Sequence, residues 1–322
     1  MHMSDALVSA PIALGADAIA ATLLAISIRK IYRQERLSIP LMGVLGAFVF
    51  AAQMINFSIP GTGSSGHIIG GILLSSMLGA WGGFFTLCSV IVLQCLLFAD
   101  GGLLALGCNA INMAAFSCLV AYPLIFKPLY RADCSTLKLF SASIFAYIAA
   151  FLMGAIAVTL ETSLSGVSAL PLGRMLLFML PIHFVIGICE GVATALVILF
   201  VRRRDPELFL HDQRQTSPRR TIEAFAIAAF IIAASFTLVA SSAPDGLEWS
   251  IENVLQGELP SPTSELHTSA ELILQKTAII PDYTTFLAGI IGCAILIFAT
   301  WLISLLSKRV RGDETQSWQD TL

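Results

Sequence analysis

The chain has 322 residues, 57% of them hydrophobic and 12% charged, with a formal net charge of -3 and a mean hydropathy of +0.84. A soluble domain carries about 25% charged residues, so this composition excludes a water-surrounded globule. The near-neutral charge balance excludes a disordered tail or a nucleic-acid binder. An all-α membrane protein remains, in which each span needs about 20 mostly apolar residues.

Apolar runs fall at 11–28, 40–57, 67–99, 102–126, 139–160, 175–201, 222–242 and 284–306. The first has no basic flank before it and no signal-peptidase site, so it reads as a retained span. Met1 is expected to stay, because methionine aminopeptidase needs a small second residue and His2 is large. The run 67–99 is too long for one straight span and contains Gly79-Ala80-Trp81-Gly82-Gly83, a sequence able to turn.

Basic residues favour the cytoplasmic side of a membrane. They cluster at Arg29, Lys30, Arg33 and Arg36; at Lys127, Arg131 and Lys138; at Arg202, Arg203, Arg204, Arg214, Arg219 and Arg220; and at Lys308, Arg309 and Arg311. With 67–99 split into two spans, all four clusters fall inside, and only Arg174 and Lys276 lie outside. Left whole, that run would throw the second and third clusters outside. The expected fold is therefore a seven-helix bundle over 1–201, a basic cytoplasmic linker over 202–221 with Pro206 and Pro218, and a two-helix hairpin over 222–322. The N-terminus is expected outside and the C-terminus in the cytoplasm of a bacterium, in a multi-pass protein of the cell inner membrane.

The hairpin encloses an external segment, 243–282, carrying Asp245, Glu248, Glu252, Glu258, Glu265, Glu271 and Asp282 against Lys276. It reads as a solvated acidic loop, or as a collar that concentrates cations near a site. His211 in the linker and His267 in the acidic segment are expected to be solvated, with His267 also open to a transient metal hand-over. Cys88, Cys95, Cys108, Cys118, Cys189 and Cys293 sit in apolar runs and Cys134 in a short polar loop, without any C-x-x-C pair. They read as small packing residues.

The chemistry concentrates at the N-terminus. The Met1 amine, the His2 amide nitrogen and the His2 Nδ1 can close a five-membered and a six-membered chelate ring on one metal. That planar set lacks one nitrogen, and His67 is the histidine of the external loops before residue 201. Four nitrogens in a plane select Ni(II) or Cu(II) over zinc, calcium or magnesium, and the amide must lose its proton as metal enters. An isolated loop histidine is also a common surface or capping residue, so the ligand set stays open at this point.

The opening Met1-His2-Met3-Ser4-Asp5-Ala6-Leu7 resembles the start of the nickel/cobalt-specific S components of energy-coupling-factor transporters. Asn56-Phe57-Ser58-Ile59-Pro60-Gly61-Thr62-Gly63-Ser64-Ser65-Gly66-His67 is similar to the same family, as are Phe98 to Gly107 and His183 to Gly191. The stretch Ser242-Ala243-Pro244-Asp245-Gly246-Leu247-Glu248-Trp249, with Pro281-Asp282-Tyr283 later, resembles the small two-span partner that carries a PDGLE motif. The chain thus looks like a fusion of two subunits. The resemblance implies a seven-span bundle with the N-terminus tucked into a metal pocket, and square-planar coordination by Met1, His2 and His67. Ala6-Leu7 stands where cobalt-type members usually carry Gly-Phe, which leans the reading towards nickel.

No G-x-x-x-x-G-K-[ST] sequence is present to cradle ATP phosphates. The resemblance implies that a separate T-type membrane coupling protein and an ATPase pair supply the energy. Ni(II) or Co(II) is then the transported substrate, with no permanently bound cofactor. The small-xxx-small pairs Ala16 and Ala20, and Ala47 and Ala51, suit either docking to the coupling protein or packing within the bundle. His183 and Glu190 share one helix face and suit either support of the metal ligands or a structural hydrogen bond between helices. Asp17 and Asp100, near span ends, read as structural. A secondary transporter or channel for divalent transition-metal ions is the alternative function, although charges along a path are few. No catalytic set is visible.

Overall fold

The computed structural model describes residues 2–33, 39–131, 134–166, 170–205, 219–235, 241–255, 264–280 and 287–302. Met1, Arg36, linker positions 206–218 with His211, Glu258, Pro281-Asp282-Tyr283 and the cluster Lys308, Arg309 and Arg311 lie outside the described residues. In chain order the first helices are α1 (Ala10–Tyr32) and α2 (Ile39–Gln53). A two-stranded antiparallel ribbon follows, with β1 (Phe57–Ile59) facing β2 (Ser64–Gly66) so that Phe57 pairs with Gly66. Next come α3 (Gly71–Phe98), α4 (Leu106–Leu129), α5 (Thr136–Ser165) and α6 (Leu172–Arg204). The C-terminal region holds α7 (Arg219–Ser235), α8 (Gly246–Leu255), α9 (Glu265–Thr277) and α10 (Leu287–Leu302).

Helices α1, α4, α5 and α6 are each long and apolar enough to cross a bilayer, α3 is so only when its 28 residues are taken end to end, and α2 and α10 are shorter apolar helices. Their outer faces carry Leu14, Ile19, Phe145, Leu177 and Phe200, all exposed in the isolated chain, as lipid-facing helices require. The turn expected within 67–99 falls inside α3 at Gly79, whose φ of 76° and ψ of 165° leave the helical region. Only glycine adopts that backbone without strain. A Cβ placed on Gly83 would lie 2.8 Å from the Ser75 Cα, whereas residues eight apart in an unbroken helix are about 12 Å apart. The chain therefore doubles back at Gly79.

Hydrogen bonds show which segments share an end of the bundle. The Ser9 N–H donates to Ser165 Oγ, joining the start of α1 to the end of α5. Arg202 donates to the Cys134 carbonyl at 2.9 Å, joining the end of α6 to the start of α5. Ser27, near the end of α1, donates to the Trp81 carbonyl just past the α3 break. Arg29 to Arg33, Lys127 to Lys138 and Arg202 to Arg204 thus gather at one end. Residues 2–9, the ribbon and the loop 99–105 gather at the other.

The C-terminal helices close on α2. Phe225 of α7 packs edge-on against Phe48 at 4.9 Å, and the Cys293 thiol of α10 donates to the Ala47 carbonyl. Ala16, Ala20, Ala47 and Ala51 are all buried in this chain's own core, so packing within the bundle uses both small-residue pairs. The acidic segment is not an open loop: α8 buries Leu247, Ile251 and Val254, and α9 buries His267 and Ala270. A hydrophobic stripe under a charged outer face explains the mismatch, since charge count alone hides periodicity.

Candidate metal site

Two segments bring the predicted histidines together. Met3 is fully buried, and its N–H donates to Asn109 Oδ1 at 2.7 Å while Asn109 Nδ2 returns a bond to the Met3 carbonyl at 3.0 Å. Two residues on, the Asp5 carboxylate accepts from the Leu103 and Ala105 N–H groups. The N-terminal segment is thereby stitched to the Gly101-Gly102 loop and the start of α4, presenting His2.

His67 arrives on the loop that follows β2 and dips into the bundle. Glu190, fully buried more than halfway along α6, accepts from the Ile69 N–H at 2.9 Å and the Gly70 N–H at 2.6 Å. Gln53 donates to the Ile69 carbonyl at 3.0 Å, and Gln94 donates to Gln53 at 2.6 Å. A charged carboxylate buried in an apolar bundle is costly unless paired. Here it satisfies two loop amides that would otherwise be orphaned.

The His2 and His67 rings meet edge-on with centroids 5.5 Å apart. A metal about 2 Å from one nitrogen of each ring fits that separation. His2 Nδ1 lies 2.9 Å from Asp100 Oδ1, so the atom expected to bind metal is held by Asp100 in this arrangement. Asp100 is thus part of the site and more than a structural residue of a span end. Burial raises its carboxyl, but the interaction and hydrogen bond with the His2 ring beside it, with the nearby His67 and the chain terminus, outweigh that and lower it. Burial and nearby positive charge push the His67 imidazole down to about 3, leaving its lone pair free at neutral pH. Asp17, by contrast, accepts from the Gly107 N–H and joins α1 to α4, a structural role.

The rings line a polar cavity of about 430 Å³ with Asp5, Gln53, Gln94 and Asp100 on the bundle side and Asp245, Glu248, His267 and Glu271 on the C-terminal side. A second cavity of about 10 Å³, lined by His67, His183, Ile186 and Gly246, lies behind. His183 bonds through Nδ1 to the Met179 carbonyl at 2.8 Å, four residues back in its own helix. Among the described residues no three His, Cys, Asp or Glu side chains surround one point as a metal cage. A site that takes most of its nitrogens from the chain's first two residues would leave no such cage.

The C-terminal region touches both segments. The Ser65 N–H donates to the Pro244 carbonyl at 2.8 Å and Ser65 Oγ donates to the Ala243 carbonyl, so 243–245 lies along β2 and forms a single parallel bridge between Asp245 and Ser65. Asp245 Oδ1 then accepts from the Leu247 and Glu248 N–H groups and starts α8. Burial raises the Asp245 carboxyl, but surrounding positive groups and its N–H partners leave it lowered. A Cβ on Gly246 would lie 3.1 Å from His183 Cε1, so glycine permits this close approach. His267, expected in solvent, is 3% exposed and bonds to the Val8 carbonyl. Gln53, Gln94 and Asn109 carry a signal sequence reading left unused, since each is a polar side chain inside an apolar run.

Residues 2–208 match the family described as the cobalt uptake substrate-specific transmembrane region, CbiM, and residues 219–309 match the PDGLE domain. The chain belongs to the CbiM family. It carries a PDGLE domain in the same polypeptide, as the fused-subunit reading expects. An Archaeoglobus fulgidus protein named for fused nickel transport, NikMN, is 31% identical over 317 residues, covering 92% of this chain and 96% of that one. The cobalt transport protein CbiM of Clostridioides difficile is 31% identical over 190 residues, covering 58% and 74%. A crystal structure of a transition metal transporter superposes with a TM-score of 0.56 at 29% identity, covering 66% of this chain and 96% of that one. A CbiM-family membrane protein with several apolar helices is the architecture these similarities share with the fold above.

Proposed function

We propose that this chain is the metal-capturing membrane subunit of an energy-coupling-factor importer, taking Ni(II) from outside the cell. The metal site is the Met1 amine, the His2 amide nitrogen, His2 Nδ1 and His67, in a plane. It requires that the mature chain begin at Met1. His183 and Glu190 support His67 from behind without binding metal. The carrying observation is the meeting of His2 and His67, 5.5 Å apart, in a polar cavity within an apolar bundle. Transport rather than catalysis fits relatives that are named for nickel and cobalt transport. A T-type coupling protein and separate ATPase subunits drive the uptake. The seven spans fill 1–201, the basic linker lies inside at 202–221, and a hairpin of two spans over 222–322 frames the external segment 243–282. Co(II) is the second cargo, and a gradient-driven transporter or channel is the competing mechanism.

Membranes carrying the chain with and without the coupling and ATPase subunits separate these mechanisms. Uptake of radioactive nickel should require both partners and ATP. Uptake driven by an ion gradient alone overturns the importer reading. Competition between Ni(II) and Co(II) on purified protein ranks the metals, with nickel expected to win. Single cysteines at 61–63 should react with an impermeant thiol reagent in intact cells, and those at 202–220 should not.

A further inference from the structure

We propose that His267, in the C-terminal region, is a positioning residue for the N-terminal metal-binding segment, acting through the Val8 carbonyl 259 residues away. This rests on reading His2 and the chain terminus as ligands.

Both ring nitrogens of His267 are committed. Nε2 lies 2.8 Å from the Val8 carbonyl oxygen, which can only accept, so Nε2–H donates. Nδ1 lies 2.6 Å from Ser264 Oγ, whose hydroxyl donates to it in the neutral ring. No lone pair is left for a metal, so His267 holds a ligand-bearing segment and is not itself a ligand. Ser264 is also the N-cap of α9, with its Oγ 3.5 Å from the His267 N–H, which sets the ring at the helix start.

The contact is concentrated. Along α9 only His267 and Ala270 are buried, while Leu266, Leu272 and Ile273 are exposed. Val8 follows the Asp5–Leu7 turn, and Leu7 and Val8 are buried. The segment is pinned on its other side by Asn109 and by the amides that bind Asp5. His267 therefore completes a two-sided grip on residues 2–8. Without it the local chelate of the first two residues persists, but its register with His67 loosens.

The test uses full-length protein with a native N-terminus and a C-terminal tag. His267→Leu keeps bulk without a donor, and His267→Gln returns an N–H near the Nε2 position. With Ni(II) alone as probe, His267→Leu should release metal on the order of 10–100-fold faster, read from decay of the square-planar absorption band, and His267→Gln should restore the rate. Hydrogen exchange on metal-free protein should show residues 2–8 deprotected in His267→Leu and protected in His267→Gln. Unchanged exchange there overturns the proposal even if the wild type binds no nickel, the result that would sink the metal reading itself. A lower melting temperature with an unchanged release rate would make His267 merely structural. A nickel spectrum that loses one nitrogen donor in both variants would make it a ligand. Either outcome overturns the proposal.

Discussion

The two segments that carry histidines into the cavity are fastened by the same plan with different parts. The His67 loop is gripped from within the bundle by Glu190 and Gln53, and from the C-terminal region by the hydrogen bonds of 243–245 to Ser65. The N-terminal segment is gripped from within by Asn109 and the amides around Asp5, and from the C-terminal region by His267. Each inner grip satisfies buried backbone groups at fixed distance, and each outer grip comes from a region that matches a separate domain. The bundle thus holds two histidine-bearing segments at one cavity, and the PDGLE region bears on both.

The strongest way to break the symmetry is at the chain terminus. Acetylating Met1, or inserting one residue between Met1 and His2, removes or misplaces the amine of the chelate. Nickel binding at micromolar concentration should vanish while the protein still inserts in the membrane, and isothermal titration of the purified protein reads the loss. Full binding by a blocked protein sinks the chelate.

His67→Ala should come next, since three nitrogens remain. Its loss of Ni(II) affinity should exceed the roughly 10–100-fold that a supporting residue costs, with the melting temperature little changed. Wild-type affinity would remove His67 from the site.

Glu190→Ala tests the inner grip. It leaves the Ile69 and Gly70 N–H groups buried without an acceptor, at about 1–3 kcal/mol each. Both the melting temperature and nickel affinity should fall, and Glu190→Gln, which keeps one acceptor oxygen, should fall between. Gly246→Ala tests the outer grip more gently. The added methyl meets His183, Ile182 and Ile186 at 3.1–3.2 Å, an overpacking cost of about 1 kcal/mol. A several-fold weakening of nickel binding is expected, and none at all would detach the PDGLE turn from the site.

Acid tests the burial of His67 itself. The His67 pKa is depressed to about 3 in the fold, against about 6.5 in an unfolded chain. Its stabilising contribution is therefore complete above pH 6.5 and drains away as pH falls towards 3. Thermal melts between pH 7 and pH 4 should show the wild type losing more stability than His67→Ala, and parallel losses would contradict the burial argument.

Some of this molecule is decided within a few residues of chain. The apolar runs, the glycine turn at Gly79 and the chelate geometry of Met1-His2 depend on neighbouring atoms, so composition and spacing determine them. The meeting of His2 with His67 was reached from ligand number, but its neighbours were not. Asp100 beside His2, Asn109 beneath Met3, and Glu190 holding the amides beyond His67 join residues far apart in the chain, and hydropathy does not record such pairings. His267 shows the difference most plainly. Its surroundings in sequence are acidic and polar, which reads as solvent, yet helix formation turns it to the one face of α9 that meets the bundle. There the Val8 carbonyl accepts from the imidazole, which the tertiary structure alone places within 2.8 Å of it.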